Sequence, residues 1–184
     1  MKSADSPNRT AGARGFTLTE LMVVVAIVAM LAAVGIALMR KHLFASKTTE
    51  AVAVIQAIRG AQERWRAENK TYYDVSSGTN AWYPMGTPGR AKYPWDLPAG
   101  PDYAKWQRLH PAVTGSVQFG YETRAGAAGD TVPLLVGMKQ PAWEVPVEPW
   151  YLIQAQADTN GDGVTARFAA SSFTGEIYSE NEGE

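Results

Sequence analysis

The 19 residues from Leu21 to Met39 read LMVVVAIVAMLAAVGIALM, without one charged side chain. At about 1.5 Å per residue, a helix of that length spans roughly the hydrocarbon core of a bilayer. The buried helix of a soluble protein is the alternative, but such helices are usually shorter or keep a polar stripe. The run reads as a membrane segment.

Beyond Met39 the pattern keeps a helical period but loses its all-round apolarity. Phe44, Ala51, Val54, Ile55, Ile58, Ala61 and Trp65 recur at three- and four-residue steps, with Lys47, Glu50, Arg59, Glu63 and Arg66 between them. That is an amphipathic face. No proline occurs between Pro7 and Pro84, and between Leu18 and Glu68 the glycines are Gly35 and Gly60. One continuous helix from Leu18 to Glu68 is therefore expected. Its first half belongs in lipid and its second half needs a partner surface.

The remainder supplies that surface. Residues 70–112 are dense in Pro, Gly, Trp and Tyr and read as a long connection holding one short helix at Tyr103–Leu109. Short β-type runs follow at Val117–Thr123, Val132–Met138, Trp150–Ala157, Thr165–Ala170 and Glu176–Tyr178, separated by turn residues. Successive strands with short links make an antiparallel meander that can pack on the amphipathic helix. The expected class is α+β. With 46% hydrophobic and 19% charged residues the chain has material for a core. It has no cysteines, which excludes a disulfide framework, a thiolate nucleophile and any Cys-ligated metal site.

The start of the apolar run carries an acid, Glu20, in Arg14-Gly15-Phe16-Thr17-Leu18-Thr19-Glu20-Leu21. A secretory signal peptide has a shorter apolar region, no acid there, and a cleavage site after it; here the helix continues into Arg40-Lys41. Lys2, Arg9 and Arg14 before the run nearly balance Arg40, Lys41 and Lys47 after it, so charge bias does not orient the span.

Gly15 to Leu21, followed by the long apolar helix, resembles the class III leader and N-terminal segment of type IV pilins and of their relatives, the pseudopilins of type II secretion. The match covers Arg14 to Glu68, about 55 residues. The resemblance implies a pilin fold, with a leader at 1–15, a transmembrane and filament-core helix at 16–40 and a globular domain at 41–184. That domain would comprise an amphipathic helix at 41–69, an αβ-loop at 70–112 and a β-meander at 113–180. It implies cleavage between Gly15 and Phe16 by prepilin peptidase on the cytoplasmic side, and N-methylation of the new Phe16 amine. Loss of Lys2, Arg9, Arg14 and Asp5 with the leader takes the formal charge from −1 to −3.

An isolated carboxylate at membrane depth is costly and by default functional. The partner expected for Glu20 is the Phe16 amine, in its own chain or in a neighbouring subunit, which would reward one axial register in a helix bundle. The alternative is that Glu20 lies at headgroup level and adds to the helix N-terminal electrostatics. Two features depart from the commonest pilin pattern. Ala37 stands where many pilins carry a helix-bending proline, and the C-terminal region has no cysteines to close it.

Asp158-Thr159-Asn160-Gly161-Asp162-Gly163 places oxygen side chains at alternate positions, the opening half of an EF-hand-like calcium loop with Asp158, Asn160 and Asp162 as ligands. The bidentate Glu expected later is Ala169. The same residues make a good hairpin turn between strands ending at Ala157 and beginning at Thr165.

Nothing points to an enzyme: His42 and His110 lie in no catalytic or metal pattern, and Glu144 and Glu148 flank prolines. The tryptophans at 82, 95, 106, 143 and 150 read as core and subunit-contact residues. Arg64, Arg66, Lys70, Arg90, Lys92, Lys105 and Arg108 are scattered among acids, so no nucleic-acid partner is expected.

Three functions fit. The first is a structural subunit of a type IV pilus, a minor pilin in particular, serving adhesion, twitching motility or DNA uptake. The second is a pseudopilin of a type II secretion system. The third is a bitopic membrane sensor or binding protein. The first implies other pilin subunits, prepilin peptidase and an inner-membrane assembly platform as partners. Its location would be a single-pass inner-membrane state and then a cell-surface pilus, against a periplasmic pseudopilus for the second.

Overall fold

The structure, a computed structural model, describes residues 15–86, 88–98, 100–141 and 143–182; at residues 37, 38 and 40–45 it describes the backbone alone. The leader expected over 1–15 lies outside the described residues except for Gly15, and so does the Phe44 side chain. The chain divides into two compact units that meet between Arg40 and Lys41.

Helix α1, Leu18–Asn69, is 52 residues long and continues through Gly35 and Gly60. In the first unit it is the only element described. Its segment Leu18–Ile36 has a mean hydropathy of 2.4, long and apolar enough to cross a membrane, and none of it is buried. The run is therefore not the core helix of this chain's own globular part. Its large side chains from Leu21 to Ile36, and Met39 beyond them, stand exposed and need lipid or other helices to cover them.

In the second unit the expected face of α1 is buried: Ala51, Val54, Ile55, Ile58 and Ala61 belong to one core cluster, with Trp65 half-buried at its edge. Each fully buried Ile contributes about 2 kcal/mol by removal from water. Strand β1, Tyr93–Pro94, pairs with β2, Ser116–Val117, and helix α2, Tyr103–Leu109, lies between them in sequence. Strands β3 (Gly120–Gly126), β4 (Trp150–Ala157), β5 (Ala166–Ser171) and β6 (Ile177–Glu180) form a four-stranded antiparallel meander in that order. Alternation splits its two faces. Tyr121, Ile153, Ala155 and Phe168 join the helix-side cluster, while Trp150, Leu152 and Ala169 form a second cluster with Leu135. The fold is α+β.

Two expected strands are corrected. Val117–Thr123 is divided, because Ser116–Val117 pairs with β1 and the main sheet begins at Gly120. Val132–Met138 is no strand. It belongs to the connection between β3 and β4, where Val132, Leu135 and Met138 pack on the outer sheet face. Pro133 lacks an N–H to donate, and Gly137 has φ +64°, so burial produced apolar spacing without a ladder. A Cβ at Gly137 would lie 2.7 Å from Arg167 Nε, which holds that arm against β5.

Two polar side chains of α1, both read from sequence as outward-facing or left unmarked, tie the unit together. Arg59 donates to the carbonyls of Gly175 at 2.9 Å, Ser171 at 3.3 Å, Thr174 at 3.1 Å and Glu176 at 3.0 Å, closing the β5–β6 turn onto the helix. Gln62, fully buried, exchanges bonds with the Tyr73 backbone (2.8 and 2.9 Å) and donates to Thr123 Oγ1 at 3.2 Å.

Candidate functional site at the helix N-terminus

Helix α1 begins with Thr17-Leu18-Thr19-Glu20, the S/T-x-x-E pattern of a capping box. The Glu20 N–H donates to Thr17 Oγ1 at 3.2 Å. In return Glu20 Oε2 accepts from the Thr17 N–H at 3.0 Å and from its hydroxyl at 2.9 Å. The carboxylate is thus folded back onto the positive end of the helix, where it satisfies donors that have no intrahelical partner. Phe16 is 83% exposed. Its nitrogen lies one residue before the Thr17 N–H that already touches the carboxylate, so a free amine there would have Glu20 within its own first turn. Besides the Phe16 amine or headgroup solvent expected from sequence, Glu20 has a partner in Thr17, which the T-x-x-E spacing marks.

The Asp158–Gly163 segment is a turn closed by its own amides. Asp158 accepts from the N–H groups of Gly161 (2.6 Å) and Gly163 (3.0 Å), Asn160 Oδ1 from Asp162 N–H (2.9 Å), and Asp162 Oδ1 from Val164 N–H (2.7 Å). Gly161 and Gly163 take φ +82° and +90°, which glycine adopts without a Cβ penalty. Two cationic side chains adjoin the turn. Lys47 Nζ donates to Thr159 O at 3.0 Å, and Arg90 packs so close that a Cβ on Gly161 would lie 2.6 Å from its Cδ. Ala169 sits fully buried in β5, paired with Gln154. Among the described residues no group of three or more His, Asp or Glu is placed to hold a metal.

The other residues singled out from sequence have structural surroundings. His110 caps α2 with φ 51°, and its carbonyl accepts from Arg64. Glu148 pairs with Arg66 at 2.9 Å. Trp82, Trp95, Trp106 and Trp150 are buried, and Trp95 and Trp106 pack edge to face with centroids 5.3 Å apart. Arg108 lies over the stacked Trp65 and Tyr73 rings, and Lys92 pairs with Glu50 at 2.5 Å.

Comparison with known proteins bears on the same end of the chain. The family described as the Prokaryotic N-terminal methylation motif matches residues 11–36. The type IV major pilin protein PilA of Myxococcus xanthus is 42% identical over 64 residues, 35% of this chain and 29% of that protein. The chain thus carries the prepilin-type methylation motif and is similar over part of its length to a type IV pilin. Two fimbrial proteins of Pseudomonas aeruginosa are each 34% identical to this pilin-like chain over 73 residues, 40% of it and 47% of theirs. The chain thus spans less than half the length of these relatives. They are a pilin and fimbrial proteins, not enzymes. No solved structure matches significantly.

Proposed function

We propose that this pilin-like protein is a structural subunit of a type IV pilus. One observation carries the reading: an apolar helix, Leu18–Ile36, stands wholly uncovered, with Gly15-Phe16 before it and Glu20 drawn onto its N-terminus. A helix of this kind is stable in a bilayer or inside a bundle of like helices, and subunits of a filament extracted from the membrane use both states. Prepilin peptidase cuts between Gly15 and Phe16, the Phe16 amine is methylated, and the amine and Glu20 then set the register against neighbouring subunits. Before assembly the chain is a single-pass inner-membrane protein that engages the assembly platform; afterwards it lies in the surface filament.

Within the filament we read a minor subunit. The C-terminal segment is closed by Arg59 instead of a disulfide, and Ala37 replaces the usual proline, both departures from the common major-subunit pattern. The Asp158–Gly163 turn is taken to work without calcium.

The test is mass spectrometry of filaments sheared from the cell surface, searching for a peptide that begins at methylated Phe16. A trace amount relative to other pilins supports a minor subunit, and an abundant one a shaft subunit. Processed peptide confined to the membrane fraction makes the protein a pseudopilin. An intact Met1 start in every fraction overturns the pilin reading and leaves a bitopic membrane protein.

A further inference from the structure

Among the described residues of the second unit four large apolar side chains stand exposed. Three of them, Leu134 (73%), Val145 (72%) and Val147 (90%), belong to the connection between β3 and β4, and the fourth is Val164. Single exposed apolar side chains are ordinary, but three on one connection mark a contact surface. The two arms of the connection are joined where the Gly129 N–H donates to Pro146 O at 2.7 Å. Between them lies a cleft of about 250 Å³ walled by Leu134, Trp143 and Val145. The charged residues of its wall, Asp130 and Glu144, are both acids, and neither is in an ion pair among the described residues. Pockets for small ligands hold about 300–1,000 Å³, so this cleft has the size for a partner's side chains.

The chain carries the complement of that cleft. Lys105 and Arg108, one turn apart on α2, adjoin Arg64 of α1, whose guanidinium donates to His110 O at 3.0 Å at the end of α2. Arg108 lies over the half-buried Trp65 and Tyr73 rings. None of the three cations is in an ion pair among the described residues. Glu63 is turned away to the Tyr72 hydroxyl, and Glu68, one turn after Arg64, reduces three positive charges to a formal +2. Arg64 and Arg66, two residues apart on a helix, point to opposite sides of it. Arg64 reaches the end of α2, whereas Arg66 pairs with Glu148 in the β3–β4 connection at 2.9 Å. The basic face and the acidic cleft thus flank the last turns of α1 on opposite sides.

We propose that these two faces bind each other between copies of the chain: the Arg64, Lys105 and Arg108 face of one copy docks on the Asp130 and Glu144 cleft of the next. The inference rests on the filament-subunit reading and adds to the apolar helix a contact between second units. Lying on opposite flanks, the two faces cannot meet within one chain or close on each other in a two-fold pair. Each docked copy keeps one face of either kind free, so association runs head to tail. Opposite charge decides which face meets which, and docking covers Leu134 and Val145.

The chain has no cysteines, so two exposed positions can be made its only thiols: Ala104→Cys, one turn before Arg108, and Val145→Cys, beside Glu144. Full-length chains with both substitutions are treated in cells with a short bifunctional maleimide and resolved by size. A ladder of dimers, trimers and larger adducts is expected, whereas a mixture of the two single variants gives dimers joining position 104 to 145 and nothing larger. Glu144→Lys should cut the adducts about tenfold, and Arg108→Glu added to it should restore most of them. Absence of adducts, dimers joining 145 to 145 in place of 104 to 145, or a charge swap that restores nothing overturns the proposal. The N-terminus of the same chains separates this failure from that of the filament reading. Chains that start at methylated Phe16 in sheared filaments but give no adducts overturn the contact alone; chains that form the ladder while keeping Met1 overturn the filament reading and leave the contact standing.

Discussion

Thr17 and Glu20 hold each other at the mouth of the apolar helix, the hydroxyl donating to Oε2 at 2.9 Å while accepting the Glu20 N–H at 3.2 Å. This pairing fixes where the carboxylate sits before any neighbour arrives. Replacing Thr17 by Val keeps the branched shape and removes the hydroxyl, at a cost of about 1 kcal/mol in the first turn. Thr17→Val is expected to be cleaved normally, with a Phe16 start in the membrane fraction, and to yield several-fold less sheared filament. Thr17→Ser should assemble at the wild-type level. Equal filament yields from Val and wild type would confine the pairing to local helix capping.

Arg59 does for the C-terminal turn what a cross-link does elsewhere. Its guanidinium reaches four carbonyls from Ser171 to Glu176, 112 to 117 residues away in sequence. Arg59→Met would leave those acceptors short of a charged donor and lower stability by about 3 kcal/mol, since hydrogen bonds to a charged group carry more than neutral ones. Arg59→Lys, a point charge without the planar fork, should recover a minority of the loss. Urea unfolding of the full chain in detergent, with tryptophan fluorescence as the signal, reads both values.

Periodicity explains what was legible. The all-apolar run, the Ala51–Val54–Ile55–Ile58–Ala61 face and the limits of α2 and β4 follow from repeats of one residue type, which local sequence records. Arg59 and Gln62 were not legible as ties, because a polar residue in an amphipathic pattern reads as solvent-facing until the fold brings distant carbonyls to it. Residues 132–138 misled for the opposite reason: their burial is real, but it comes from lying on a sheet and not from belonging to one. At the candidate site, Glu20 stood out as an acid at the edge of an apolar helix. Thr17 is equally visible in the T-x-x-E spacing, the signature of a capping box.

The turn at Asp158 gives a prediction about metal. Its side-chain oxygens already accept the turn's own N–H groups, with Lys47 and Arg90 alongside. Exchanging millimolar calcium for chelator is expected to leave the unfolding temperature unchanged. Asp158→Ala, which strips two amides of their acceptor, should lower stability by about 1 to 2 kcal/mol with or without calcium. A calcium-dependent rise in unfolding temperature that Asp158→Ala abolishes would make the turn a metal site.

Global stability should carry the mark of Glu122 as well. Its carboxyl is raised from 4.5 to about 7 in the fold, burial being the main cause. A group whose folded value is raised favours the native state fully below its unfolded value, and that contribution is lost as pH climbs to the folded one. Relative to Glu122→Gln, which has no proton to lose, the wild type should therefore weaken between pH 4 and pH 7 by on the order of 3 kcal/mol and hold steady beyond. The quantity to compare is the change in the difference between the two proteins, because the neutral amide makes its own hydrogen bonds and shifts the absolute values at every pH. Urea midpoints at pH 4, 5.5, 7 and 8 measure it. A difference constant across that range would mean that the Glu122 carboxyl is hydrated in the native state and keeps its ordinary value.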